Sequence, residues 1–259
     1  MDNFSFLQKY IELQTSVTID EVIDLGFVRI DYNKIEPSPY ENFALTNKIL
    51  SEGELNQIEQ IFQRLGRKQA FYFENKPELK LLVDFLTTKG YKLDREDAWM
   101  FHNGENINAD NFNLVRKVES EDDLAAFLKT FDNSFQKDDP QNPFGELGNY
   151  LKVTEAAWHR HRGTNRLQYF IAYKGDKPVA ASALNNLNGI GYICNVGSLR
   201  EVRGEGFGKL ATLYALSSSV KNGNDYHCLA TAEGTRPNEF YKRQGFVIKF
   251  TAVCYCKLK

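Results

Sequence analysis

Arg203-Gly204-Glu205-Gly206-Phe207-Gly208 is the segment of this 259-residue chain whose residue types and spacing point most directly to chemistry. It lies between an apolar stretch, Ile190–Leu199, and a stretch of helical periodicity, Lys209–Val220. Alternate glycines let a backbone turn tightly and approach a ligand with no Cβ in the way. The first N–H groups of the helix that follows have no intrahelical partners and sit at the positive end of its dipole. Together these features predict an anion site suited to a diphosphate, with Arg203 adding a charge at the loop entrance. Two other phosphate loops do not fit. A P-loop requires a hydroxyl after its lysine, and Lys209 is followed by Leu210. A dinucleotide loop requires G-x-G-x-x-G between parallel strands. Here the spacing is G-x-G-x-G, and the strands before it read as an antiparallel meander.

Arg203, Gly206 and Gly208 form Arg-x-x-Gly-x-Gly, and Tyr241, Gly245 and Phe246 form Tyr-x-x-x-Gly-Phe farther on. Through these motifs, their separation and the strand order, residues from about 113 to 258 resemble the GCN5-related N-acetyltransferase (GNAT) family. The resemblance implies a mixed, mostly antiparallel sheet flanked by helices, with acetyl-CoA lying in a splay between the fourth and fifth strands of the domain. It implies pantetheine contacts from Val196, Gly197 and Ser198, and a diphosphate cradle of Arg203, Gly204, Glu205, Gly206, Phe207, Gly208 and Lys209. Asn238 and Tyr241 complete the implied cofactor-binding set, and Tyr241 matches the general acid that protonates the departing thiolate. An ordinary tyrosine near pKa 10 and a thiol near about 8.5 make that transfer mildly uphill. The chain also departs from the pattern: Arg200 stands where the family often has proline, and Gly234 where it often has asparagine.

The acceptor amine must shed a proton before it attacks. For a lysine-like amine this costs about 4.6 kcal/mol at pH 7. Glu233, after the fifth strand, is the candidate base, with a solvated loop acid as the plainer reading. His159 and His161 are weighed for the acceptor side, against the solvated helix face that such a run usually marks. Trp158 reads as core. Cys194, Cys228, Cys254 and Cys256 contain no C-x-x-C and read as reduced thiols rather than a disulfide or zinc framework, so no metal is expected.

The elements that would position these residues follow from periodicity. Asn113–Val118 reads as a strand, and Ser120 with Asp123 caps a helix carrying Leu124, Phe127, Leu128 and Phe131. A polar loop at Asp138–Pro143 leads to a helix from about Phe144 to Arg162. Leu167–Tyr173, Pro178–Leu184 and Ile190–Leu199 form the meander, and Tyr226–Ala232 a further strand. Arg236–Gln244 is a short helix closed by Gly245, and Val247–Leu258 is the last strand. In the first half, Phe27–Tyr32, Lys68–Phe73 and Ala98–His102 read as strands. Ser51 caps a helix carrying Leu55, Ile58, Ile61, Phe62 and Leu65, and Pro77 opens another that ends at Gly90.

The order helix, strand, helix, glycine, aromatic, strand thus occurs twice, at about 54–102 and 209–258. The first copy lacks the glycine loop, and Leu86 occupies the place of Tyr241. The expectation is an α/β (α+β) protein of two tandem modules: a degenerate or accessory one over 1–110 and a catalytic one over 111–259. Asn103–Asn111 is the candidate linker.

Composition sets the outer limits. With 42% hydrophobic and 25% charged residues, the chain has the make-up of an ordinary globular protein. A net charge of −2 without a dense basic stripe argues against nucleic acid. The absence of a leader-like N-terminus or a long apolar run predicts a cytoplasmic protein with no membrane partner. Its expected activity is acetyl-CoA-dependent N-acetylation of a small-molecule amine by a monomer or homodimer. The alternatives are a protein amine as acceptor, or a non-catalytic acyl-CoA-binding regulatory module.

Overall fold

The computed structural model describes residues 1–139, 142 and 145–257. In chain order it contains α1 (Asn3–Gln14), β1 (Glu21–Asp24), β2 (Arg29–Tyr32), β3 (Ala44–Leu45), α2 (Glu52–Leu65), β4 (Ala70–Glu74), α3 (Lys80–Thr88) and β5 (Tyr91–His102). It continues through β6 (Val115–Lys117), α4 (Glu121–Asn133), α5 (Tyr150–His161), β7 (Leu167–Lys174), β8 (Lys177–Leu187) and β9 (Ile190–Ser198). The last elements are α6 (Phe207–Lys221), β10 (Tyr226–Ala232), α7 (Arg236–Lys242) and β11 (Val247–Lys257). Among the described residues, no helix is long and apolar enough to cross a membrane.

The chain divides into two compact units that do not follow a single cut in the sequence. The first is Met1–Trp99 with Thr231–Glu233 and Ile248–Lys259; the second is Met100–Ala230 with Gly234–Val247. Both are mixed α/β.

In the first unit the strands lie in the order β1-β2-β3-β4-β11-β5. β11 runs antiparallel to β4, with Cys254 opposite Tyr72 and Cys256 opposite Ala70. The C-terminal strand is therefore an interior strand of the N-terminal unit. Its Val253 packs with Ile58 and Phe62 of α2, Leu82 and Leu86 of α3, and Phe71 and Phe73 of β4. The sequence reading finds α2, β4, α3 and the end of β5, but it passes over α1 and β1. α1 is held by Asp2, whose side chain accepts the Ser5 N–H at 3.0 Å, and it buries Phe6, Leu7 and Ile11.

The second unit orders its strands β10-β9-β8-β7-β6, antiparallel except for the β10–β9 pair. β7 is buried along most of its length because helices cover both of its faces. Tyr169 stacks on Phe127 of α4 with ring centroids 4.3 Å apart. The next residue, Phe170, meets Tyr214 of α6 edge-on. The Ser120 capping box is present, with the Asp123 side chain returned to the Ser120 backbone. The helix expected from Phe144 begins only at Tyr150, because Gly148 takes a positive φ and a turn precedes it. Phe144 itself, and Pro140, Gln141 and Pro143 of the expected polar loop, lie outside the described residues, as does Leu258 of the expected last strand.

Candidate functional site

Two adjacent strands part in the second unit. β9 and β10 pair in parallel at Ile190↔Tyr226, Gly191↔His227 and Tyr192↔Cys228. β9 then runs on to Ser198 with its other edge held by β8. That second ladder shifts between Ala181 and Ala183: Ala183 faces Cys194, and Ala181 faces Gly197. Asn195 and Val196 thus stand against Ser182 alone, which is a β-bulge, and Asn195 takes a left-handed φ of 52°. The Asn195 Oδ1 accepts a hydrogen bond from the Tyr150 hydroxyl at 3.0 Å. A Cβ on Gly197 would lie 2.7 Å from the Ser134 Cβ, so α4 packs directly against the strand there. Val196, Gly197 and Ser198 therefore occupy the length of β9 beyond its ladder with β10. This is the position from which a strand edge can pair with an extended amide-bearing ligand.

The glycine loop begins where β9 ends. Leu199, Val202 and Phe207 pack on Val179 and anchor it. Gly204 and Gly206 have φ of 88° and 92°, the left-handed region that favours glycine. Gly208 lies inside α6, where a Cβ would be 3.6 Å from the Ser198 Oγ and 3.7 Å from the Phe240 Cζ. The end of β9, the start of α6 and α7 therefore meet at one point.

α6 starts without a cap. Its N-cap is Gly206, no side chain caps it, and its first turn holds no acidic residue. The Leu210 N–H opens the helical ladder on the Gly206 carbonyl, so the N–H groups of Phe207, Gly208 and Lys209 precede it. The helix begins at Phe207 rather than Lys209 and brings these groups up to the loop. The Glu205 N–H is already donated to the Val202 carbonyl, which removes it from the expected set of anion donors. The Glu205 carboxylate pairs with Lys174 at 2.6 Å. Lys209 is exposed on the first turn.

Arg203 behaves differently from the expectation that it charges the loop entrance. Its guanidinium forms a two-pronged pair with the Asp139 carboxylate, with Nη1 2.8 Å from Oδ1 and Nη2 on Oδ2. The Asp139 side chain is only 1% exposed, so the arginine is the counter-charge of a buried acid. The pair ties the loop to the segment after α4, and the Arg203 charge is largely neutralised where it stands.

Tyr241 lies on α7, half-buried, with edge-on contacts to Phe240 and Phe246. Its carbonyl accepts the N–H groups of Gln244 and Phe246 where Gly245, at φ 91°, ends the turn. Burial raises the phenol well above its ordinary value, and the nearby Cys194 thiol adds to the shift. Proton transfer to a departing thiolate is thus more uphill than for an unperturbed tyrosine. The hydroxyl is correspondingly suited to remain protonated and to donate a hydrogen bond.

The remaining expected residues separate. Asn238 is fully buried, and its amide nitrogen lies 3.6 Å from the Met100 sulfur. Glu233 belongs to the first unit, where its N–H bonds the Glu96 carbonyl. His159 sits at the end of α5 with its Nδ1 3.8 Å from Glu121, which also pairs with Arg162 at 2.8 Å. His161 is on the same helix terminus, and Trp158 is core at 3% exposure. The reading of the sequence misses Asn195, Tyr150, Cys194 and Asp139. A left-handed asparagine inside a strand leaves a faint signal; an aspartate 64 residues from its arginine leaves none.

Comparison with known proteins gives a consistent result. Residues 124–246 match the Acetyltransferase (GNAT) family. No curated protein matches in sequence. Among solved structures, a GCN5-related N-acetyltransferase from Kribbella flavida superposes with a TM-score of 0.72 at 16% identity, covering 100% of this chain and 97% of that one. A functionally unknown conserved protein from Staphylococcus epidermidis gives 0.67 at 15% identity, covering 93% and 94%. A tandem GNAT protein from the clavulanic acid biosynthesis pathway gives 0.56 at 11% identity, covering 88% and 77%. At these identities the likeness is one of fold.

Proposed function

Since residues 124–246 match the acetyltransferase (GNAT) family, we propose that the chain is an acetyl-CoA-dependent N-acetyltransferase acting on a small-molecule primary amine. The observation that carries this reading is the uncapped start of α6 behind two left-handed glycines, beside a strand that has parted from its neighbour. A diphosphate suits that place: N–H donors are present, the first turn of α6 holds no acidic residue, and Lys209 adds positive charge. Bound acetyl-CoA supplies the thioester.

In this reading the N–H groups of Gly206, Phe207, Gly208 and Lys209 hold the diphosphate, and Val196, Gly197 and Ser198 offer their backbone edge to the pantetheine amides. The acceptor nitrogen attacks the thioester carbon directly, and the carbon–sulfur bond breaks. The Tyr241 hydroxyl donates to the sulfur as its negative charge develops. The amine proton passes to solvent, and Glu233, which belongs to the first unit, is left out of the site. Asn238, held in the interior, serves by packing the helix that carries Tyr241. The second unit, which holds most of the expected 111–259 module but not its last strand, is the proposed catalytic one, working in the cytoplasm as a monomer or homodimer.

The test is release of free thiol from acetyl-CoA with a panel of amines, for wild type and Tyr241→Phe. Amine-dependent release that falls in Tyr241→Phe supports the assignment. Unchanged turnover in that variant removes its role. Tight binding of acetyl-CoA with no release for any amine identifies a binding module instead.

A further inference from the structure

A cluster of metal-binding character lies in the first unit and plays no part in the acyl-transfer reading. Cys254 and Cys256 are two residues apart on β11 and so share one face of the strand. Both are buried, at 0% and 2% exposure, and their sulfurs lie 3.8 Å apart. Asp94 of β5, the strand next to β11, brings a carboxylate to the same place. One ligand atom from each of the three residues lies within 4.8 Å of the other two.

The sulfur separation is informative. Two zinc–thiolate bonds of about 2.3 Å at a tetrahedral angle place their sulfurs about 3.8 Å apart. From this match and the third ligand across the sheet, we infer that Cys254, Cys256 and Asp94 form a site for a thiophilic divalent ion of the zinc type. The fourth position is left to water. Binding releases the two thiol protons and forms two metal–sulfur bonds; nothing is oxidised or reduced. The Asp94 side chain is 32% exposed and marks the route of entry. Two cations flank it: the Lys68 ammonium at 3.7 Å and the Arg95 guanidinium at 3.8 Å. The incoming ion displaces Lys68 from the carboxylate, while the Arg95 charge, also held by Asp97 at 3.0 Å, lowers the affinity below that of an all-cysteine site. The ion would fasten the C-terminal strand to β5 inside the first unit.

The test uses the full chain, stripped with chelator under reducing conditions and titrated with zinc against a chromophoric chelator, then with cobalt. The expected result is one ion per chain, a cobalt spectrum with thiolate charge-transfer bands, and a melting temperature that rises with free zinc. Cys254→Ser and Cys256→Ser should each lose at least about a hundredfold in affinity, and Asp94→Asn about tenfold. Cys228→Ser, on β10, should bind as wild type does. Wild-type protein that binds no stoichiometric zinc, or whose cobalt complex lacks thiolate bands, overturns the site and leaves the pair as a thiol–thiol contact. The wild-type measurements stand even if a serine variant fails to fold.

Discussion

Helices α2 and α6 hold corresponding places in the repeated order of elements, yet their first turns are built to opposite ends. At α2 the residues are Ser51, Glu52, Gly53 and Glu54; at α6 they are Gly206, Phe207, Gly208 and Lys209. Both helices carry glycine at the second helical position. In α2, Ser51 accepts the Glu54 N–H, and Glu54 accepts the Ser51 N–H at 2.8 Å. The Glu54 carboxyl is held below its usual range by Lys48, 2.6 Å away, and by that backbone bond. The positive end of α2 is thus occupied by the protein's own anion. In α6 the cap is missing, the residue at the Glu54 position is a lysine, and the preceding glycines bend the chain clear. In the proposed reading an anion site arises here by leaving a helix unsatisfied, and the other unit shows the same helix start closed.

Buried acids extend the contrast. In the second unit Asp139 is neutralised by Arg203. In the first unit Asp31 is fully buried, and neither of its oxygens has a hydrogen-bond partner among the described residues. Burial, with the Glu41 charge beside it, raises the Asp31 carboxyl well above the usual range, and Arg29 offsets this only in part. Burial likewise lifts Glu41 to about 7, against the opposing pull of a Thr18 hydrogen bond and Arg95.

The largest expected effect tests the Asp139 pair. Arg203→Ala strands a buried carboxylate and should cost about 3–5 kcal/mol, read as a fall in the unfolding midpoint. Arg203→Lys should recover part of it. A loss below about 1 kcal/mol would show the pair to be solvated, as for surface ion pairs. Next, Tyr241→Phe should lower turnover by about a hundredfold while leaving coenzyme A affinity within about twofold. The same loss in affinity would make the residue a binding contact.

Those two residues also show what the sequence discloses. The turn that carries Tyr241 is legible because its signal is local: an aromatic four residues before a glycine of positive φ that follows a helix. The glycine loop and α6 were legible for the same reason. The Asp139–Arg203 pair, the β9 bulge and the meeting of Asp94 with Cys254 and Cys256 join residues far apart in the chain or depend on register, which no spacing reveals. The C-terminal strand reads correctly as a strand, but its alternation is the same whichever sheet receives it. Its place beside β4 is a tertiary fact.

A third expectation concerns pH. In the unfolded chain, Asp31 and Glu41 ionise near about 4; folded, they hold their protons to higher pH. The unfolded state therefore binds fewer protons in that window, and stability falls as pH rises, by up to about 1.4 kcal/mol per pH unit for each group so held. For Glu41 the loss should level off above about pH 7. Denaturant midpoints from pH 4 to 8 measure it, and Asp31→Asn should flatten the slope. A rise in stability over that range would reverse the assignment. The smallest effect is at α2: Ser51→Ala should cost about 1 kcal/mol and leave coenzyme A binding unchanged.

Calorimetric titration of the full chain with coenzyme A, comparing wild type with Lys209→Glu, which places a carboxylate where Glu54 closes α2, decides whether the start of α6 binds the cofactor. The expected result is one equivalent bound by wild type and an affinity at least about thirtyfold weaker in the variant, since the helix end then holds its own anion. Two equivalents in wild type, or an unchanged affinity in Lys209→Glu, would contradict the claim that the open start of α6 is the binding site.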